Sequence, residues 1–397
     1  MSVGDILNVH PSVTHFAARH VLFVATEDWF FVSHFLHIAR AARAAGLQVT
    51  VVARFGRHRS WLEEAGMRTV PLEWRRGSLS PLHTLATVTR LAQIFRRERP
   101  DIVHAIALKP IIASELASRI TGVPHVVHAV TGMGHLAVAE GTLAQVLRSG
   151  ISGLLRGAGR RPGVRFLVEN HDHAHDLAAR GIARPEHIVR VTGAGVDLDR
   201  FQPTPFPETT PDTPVITVTL VARMIAIKGI ETAVTAVCRL AEAGVPLRLV
   251  LAGAPDPDNP GTLTAERLRQ WAEHPAIDWR GRVDDIPALW AASDIALLPA
   301  LGGDGLPKSL LEAAACGRPI ITTNTPGCRE SLIPGETGLL VPPGNPEALA
   351  EALRLLVEDP ARRQRFGLAA RNLAERQFSE QAVAQRVLAL YGALLGG

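Results

Sequence analysis

The feature that most constrains this 397-residue chain is an alternation of short apolar runs with amphipathic stretches, running twice and broken once by prolines. His20–Ala25, Leu47–Ala53, Thr69–Leu72, Asp101–Ala107, His125–Val130, Val164–Glu169 and Ile188–Val191 read as strands. Helical patterns lie between them at Phe35–Ala45 (closed by Gly46), Leu82–Glu98, Pro110–Thr121, Leu143–Arg156 and Ala174–Arg180. The alternation resumes with Val215–Val221, a helix over 228–243, and strands Leu247–Ala252, Ile277–Trp279, Ile295–Leu298, Ile320–Thr322 and Leu339–Pro342. Mostly apolar strands separated by helices predict parallel sheets covered on both faces, an α/β chain of two doubly wound domains. Between the halves, Phe201–Pro214 holds five prolines in fourteen residues and no periodicity, which predicts an extended linker. The expected plan is a tail over 1–18, a first domain over 19–200, a linker over 201–214, a second domain over 215–379 and a last helical segment over 380–397.

The densest chemical signal lies at Pro299–Pro319, where a glycine-rich loop (Gly302, Gly303, Gly305) turns into a helix at Leu306-Pro307-Lys308-Ser309. Proline is tolerated in a first helical turn, whose N–H groups have no intrahelical partner and favour an anion, above all a phosphate. Asp304 and Glu312 flank this turn. Carboxylates beside a diphosphate would repel it, so they are expected to accept hydrogen bonds from sugar hydroxyls. Phosphate in the middle with hydroxyl acceptors on either side describes a nucleotide-sugar site. Val221–Gly229, after the first strand of the second half, carries Arg223 and Lys228. A guanidinium and an ammonium converging on two phosphates would stabilise charge on a leaving group. The other reading is a surface cation pair at a helix start, which the helix dipole makes mildly unfavourable. Of 42 Lys and Arg residues only Lys109, Lys228 and Lys308 are Lys, and each stands in or beside such a motif.

The Asp304-to-Glu312 spacing resembles the acidic-x7-Glu signature of the retaining glycosyltransferases of family 4, which have the GT-B architecture of two Rossmann-like domains facing across a cleft. The resemblance implies that Glu312 holds the nucleotide ribose, that Asp304 contacts donor-sugar hydroxyls, and that Arg223 and Lys228 clamp the diphosphate. Gly305, Leu306, Pro307, Lys308 and Ser309 are the implied donor-binding turn. The family has Glu at the first acidic position; Asp304 sets the acceptor oxygen back by ~1.5 Å. In the first half, Trp29–His34, His104–Pro110 and Thr131–Gly134 resemble bacterial N-acetylgalactosaminyl- and hexosyltransferases that extend polyprenyl-diphosphate-linked oligosaccharides. His34, His104, Lys109, His128, Thr131 and Gly132 are the implied acceptor-side candidates, with Lys109 either pairing with a lipid diphosphate or capping a strand end. The implied reaction is front-side: the acceptor hydroxyl attacks from the face the diphosphate leaves, and a donor phosphate oxygen takes the proton. The resemblance also implies that the last helix crosses back onto the first domain, and that a UDP-linked nucleotide sugar is a co-substrate with no cofactor or metal required.

Charge and composition bound the partners. Residues 1–200 carry a net +8 (24 Lys+Arg, 16 Asp+Glu) and the remainder −4, which favours an anionic partner for the first half. No motif or basic–aromatic interleaving points to nucleic acid. The arginines of 142–165 (Arg148, Arg156, Arg160, Arg161, Arg165) and of the helix ending at Pro100 (Arg90, Arg96, Arg97, Arg99) predict docking on an anionic membrane surface, with ordinary solvated helix faces as the plainer alternative. Three unpaired cysteines, an opening without the features of a signal peptide, and no run of about 18 apolar residues lead to the expectation of a cytoplasmic protein, peripheral on the inner face of the membrane. Two segments mimic metal sites. Asn170–Asp176 contains His171, His173 and His175 but also a good helix cap, and Asp256-Pro-Asp258 sits in a turn cluster. Two other functions use much of the same phosphate site: a nucleotide-sugar epimerase or hydrolase, and a binding protein without activity.

Overall fold

The computed structural model describes residues 16, 18–74, 81–131, 142–207, 215–303 and 305–396. It divides into two compact units, one made of Met1–Ala194 with Glu380–Gly397 and the other of Gly195–Ser379.

The first unit is built on a seven-stranded parallel sheet: β1 (His20–Glu27), β2 (Gln48–Arg54), β3 (Arg68–Pro71), β4 (Ile102–Ile106), β5 (His125–Val130), β6 (Val164–Val168) and β7 (Ile188–Arg190). Its order, β3-β2-β1-β4-β5-β6-β7, reverses direction between β1 and β4. Strand periodicity sends alternate residues to opposite faces, and both faces here are apolar. Val21, Phe23 and Ala25 enter one core cluster, while Leu22 and Val24 enter the other. The first cluster is roofed by α1 (Asp28–His34) and α2 (Leu36–Ala44), and the structure places a helix where the sequence reading had only a connection at Asp28–His34. The second is roofed by α4 (Pro81–Glu98), α5 (Leu108–Thr121), α6 (Thr142–Gly159) and α7 (His171–Ala179), with α3 (Arg59–Glu64) between β2 and β3.

The second unit repeats the scheme with β8 (Ile216–Val221), β9 (Leu247–Ala252), β10 (Ile277–Gly281), β11 (Ile295–Leu298), β12 (Ile320–Thr323) and β13 (Gly338–Val341), in the order β10-β9-β8-β11-β12-β13. Its helices are α8 (Ile230–Glu242), α9 (Ala265–Ala272), α10 (Ile286–Ala291), α11 (Lys308–Ala315), α12 (Pro346–Glu358) and α13 (Pro360–Leu373). The last helix, α14 (Glu380–Leu395), belongs to the first unit: Val383, Val387, Leu390 and Tyr391 are buried in the cluster beneath α2.

The division between units falls earlier than the proline-rich segment. Val196 and Phe201 are buried in a core of the second unit. The stretch that follows is held by arginines: Arg371 Nη1 donates to Phe201 O at 2.8 Å, and Arg318 Nη2 donates to Thr204 O at 2.9 Å and to the Thr204 hydroxyl. Prolines remove backbone donors, so the carbonyls of this extended strip take side-chain donors instead. Residues 208–214 of the expected linker lie outside the described residues.

Candidate active site

In a doubly wound sheet the crevice for a ligand opens at the carboxyl ends of the strands, where the order reverses. In the second unit that point lies between β8 and β11. The chain leaving β8 passes Arg223, makes a 3₁₀ turn over Ala226–Lys228 and enters α8 through Gly229 at φ 70°. The chain leaving β11 runs through Pro299 and the glycines into α11. These two loops are stitched together. Leu301 N donates to Ile227 O at 2.8 Å, and a Cβ on Gly229 would stand 1.8 Å from Pro299 O, so only glycine allows this approach. Thr322 and Thr323 add side-chain donors to Leu298 O (2.6 Å) and Ala300 O (2.5 Å) beneath the loop.

Helix α11 starts one residue later than the first-turn proline reading implies. Pro307 is the N-cap, extended at φ −64°, ψ 115°, and its carbonyl accepts from Leu310 N at 3.0 Å. Helical periodicity then sorts the residues. Leu310, Leu311 and Ala313–Ala315 are buried in the core, while Lys308, Ser309 and Glu312 form the partly exposed face. Lys308 and Glu312 stand one turn apart on that face. Gly305, Leu306 and Pro307 are buried. Lys228 is half-buried on the neighbouring loop. Asp304 lies outside the described residues.

Arg223 is exposed at the same end of the sheet, and its Nη1 donates to Asp256 Oδ2 at 2.6 Å. Asp256 stands on the loop after β9, the strand beside β8. The sequence reading treated Asp256-Pro-Asp258 as a plain turn cluster. The strand order of the sheet was the signal that brings the two loops together.

The first-unit candidates separate into three groups. His34, at the end of α1, stacks on Phe30 at 4.3 Å and lines a cavity of about 10 Å³ with Thr131 and Glu169. Lys109, in the first turn of α5, lines a different cavity of about 550 Å³ with Trp74, His83, Thr87 and Arg90. His104 and His128 are fully buried, which corrects their placement as acceptor contacts. His104 stacks on Phe23 at 5.1 Å, its register partner on β1, and its Nδ1 meets the Tyr391 hydroxyl at 2.5 Å. Burial, reinforced by the neighbouring His128, pushes His104 down to about 3. His128 Nε2 lies 3.1 Å from Glu115 Oε2. Burial alone would raise the Glu115 carboxyl, but the His128 hydrogen bond and charge, with Arg119 and Arg161, hold it at about 2. Arg161, read from sequence as part of a membrane face, thus turns inward to Glu115, Ser118 Oγ and Val123 O. Gly132 and the side chain of Arg148 lie outside the described residues.

The histidine-rich segment opens α7, with Asn170 Oδ1 accepting from His173 N at 2.8 Å as a helix cap. Among the described residues no group of His, Cys, Asp and Glu side chains is arranged to hold a metal ion, and no helix is long and apolar enough to cross a membrane.

Comparison with known proteins bears on both units. Residues 215–359 match the family described as "Glycosyl transferases group 1", and residues 20–151 match "Glycosyl transferase 4-like". A Campylobacter jejuni relative, N,N'-diacetylbacillosaminyl-diphospho-undecaprenol alpha-1,3-N-acetylgalactosaminyltransferase, is 26% identical over 373 residues, covering 91% of this chain and 95% of its own. Two solved structures share the fold: a glycosyltransferase from Rickettsia africae (TM-score 0.75, 19% identity, 95% of this chain and 99% of that one) and Anabaena Alr3699/HepE in complex with UDP and glucose (TM-score 0.74, 17% identity, 94% and 99%).

Proposed function

We propose that this chain, which belongs to the GT-B glycosyltransferases through its group 1 and 4-like segments, transfers a hexose or N-acetylhexosamine from a UDP-sugar to a polyprenyl-diphosphate-linked glycan with retention of configuration. The observation that carries the donor half is the pair of stitched loops at the β8/β11 switch point, with Arg223 and Lys228 on one and the start of α11 on the other. A diphosphate there meets two cations and the first-turn N–H groups of a helix, all before the reaction begins. They stabilise the charge that grows on the leaving group without reorganising. Glu312 accepts from the ribose hydroxyls and Asp304 from the donor sugar. The acceptor hydroxyl attacks the anomeric carbon as the bond to the diphosphate breaks, and a phosphate oxygen of the departing nucleotide takes its proton. No protein nucleophile and no metal enter this course.

The acceptor half rests on the first unit. Lys109 supplies a compact charge for a lipid diphosphate, and the Campylobacter relative is named for an undecaprenol-diphosphate acceptor. Exposed Arg90, Arg96, Arg97 and Arg99 on and just after α4 suit a peripheral association with anionic lipid, in the assembly of a cell-surface glycan. His34 and Thr131 stand on the acceptor side as well.

The deciding experiment measures nucleoside diphosphate release from a panel of UDP- and GDP-sugars in chelator, with and without a polyprenyl-diphosphate glycan. Acceptor-dependent UDP release is expected. Conversion that ignores the acceptor, or binding without turnover, would replace this reading with an epimerase or hydrolase, or with a binding protein.

A further inference from the structure

The loop after β9 does more than turn. Gly253 takes φ 150°, and a Cβ there would lie 1.7 Å from Ala222 O, so this loop and the one carrying Arg223 touch backbone to backbone. From that contact outward they are laced together: Met224 N donates to Ala254 O (3.0 Å), Ala226 N to Gly261 O (2.8 Å) and Leu263 N to Met224 O (2.9 Å). Inside the loop, Thr262 Oγ1 accepts from Asp256 N at 2.9 Å, Asn259 N donates to Asp256 O at 2.9 Å, and Asn259 Oδ1 accepts from Gly261 N at 2.9 Å. Asp256 is therefore held from its own backbone, and its side chain is only 8% exposed, while that of Arg223 is 47% exposed. A nearly buried carboxylate, fixed through its own backbone, grips one end of a long, half-exposed side chain.

We infer that Asp256 is a positioning residue for Arg223, holding the guanidinium at the switch point so that its remaining N–H groups meet the donor diphosphate. The inference rests on the donor-site reading above and adds a third loop to it. A guanidinium carries five N–H donors, and the Asp256 bond uses one. An arginine side chain gives up substantial rotamer freedom when fixed, and the ion pair meets that cost before the ligand arrives. The opposite arrangement, a carboxylate competing with phosphate for Arg223, would make the Asp256 charge a hindrance to binding.

The two differ in sign, and a double-mutant cycle on UDP binding separates them. Isothermal titration of UDP is run on the full chain and on Arg223→Ala, Asp256→Ala and the double variant. Asp256→Asn serves as a shape-preserving companion, and melting temperatures report folding. Arg223→Ala should weaken UDP roughly a hundredfold and Asp256→Ala roughly tenfold, in keeping with charge-assisted hydrogen bonds. Asp256→Asn should fall between Asp256→Ala and the parent. The double variant should bind no more weakly than Arg223→Ala alone, because the whole effect of Asp256 passes through Arg223. Additive losses, or tighter binding by Asp256→Asn, would overturn the inference while leaving the donor site intact. Unchanged UDP affinity in Arg223→Ala would remove the donor-site reading itself, and the inference with it.

Discussion

At the reversal point of the second sheet, Arg223 is exposed and Lys228 and Glu312 are half-buried, on loops that glycines allow to lie close together. In the first unit, His104 and His128 on the sheet and Glu115 on α5 are fully buried. Both sheets wind in the same order, so strand topology alone does not explain the contrast. Glu115 is partnered by His128, Arg119 and Arg161, and one ring nitrogen of each histidine meets a buried partner, Tyr391 for His104 and Glu115 for His128. Arg223, Lys228 and Glu312, in contrast, each keep part of the side chain exposed. Titratable side chains near a switch point are therefore a site only where the packing leaves them reachable.

The comparison breaks most visibly if its two halves trade behaviour. Glu115→Ala should cost about 3–5 kcal/mol of stability, because it strands His128 and two arginines. Denaturant unfolding checks this, and a loss below about 1 kcal/mol would mean that the network is not the structural element described. Lys228→Ala should do the reverse. Transfer should fall by roughly 10²–10³ in kcat, equivalent to about 3–4 kcal/mol of transition-state stabilisation, with the melting temperature unchanged.

Acid should sharpen the contrast in a smaller way. His104 is held neutral by burial, with its folded value near 3 against an ordinary 6.5. Its stabilising effect is therefore complete above pH 6.5 and lost as pH falls from there toward 3. His20 and His125 are also shifted downward by burial and act in the same direction. Between pH 8 and pH 5.5 the parent chain should lose about 1.4 kcal/mol more stability than His104→Phe, read from paired denaturation curves. Equal slopes would mean that His104 is not buried as a neutral ring. Smallest of all, Tyr391→Phe removes one hydrogen bond between α14 and β4, at about 1 kcal/mol, and should leave transfer per folded molecule as it was.

Several elements are legible in the sequence alone. Successive residues of β1 enter the two core clusters in turn, as an apolar strand covered on both faces requires, and Asn170 caps α7 as its position suggests. The glycine loop leading into α11 was equally plain, although Pro307 caps the helix instead of occupying its first turn. His104 and His128 were misplaced because each lies on an apolar strand near a motif, and a strand pattern does not say what covers a given face. Arg161 is misplaced for a related reason: it follows α6 while its partner Glu115 is on α5, and only the fold brings the two within 3.2 Å.

What the sequence determined on its own is therefore the set of local choices: which segments become strands, where helices start, and which loop can bring a phosphate to a helix end. These depend on periodicity, capping and glycine geometry within a few residues. Tertiary structure decided the rest. The Arg223–Asp256 pair spans two loops that the order of β8 and β9 makes neighbours, and the Tyr391 hydroxyl reaches His104 from the far end of the chain. Such contacts depend on which strands become neighbours and which helix covers each face, and those outcomes are set by the packing of the whole unit.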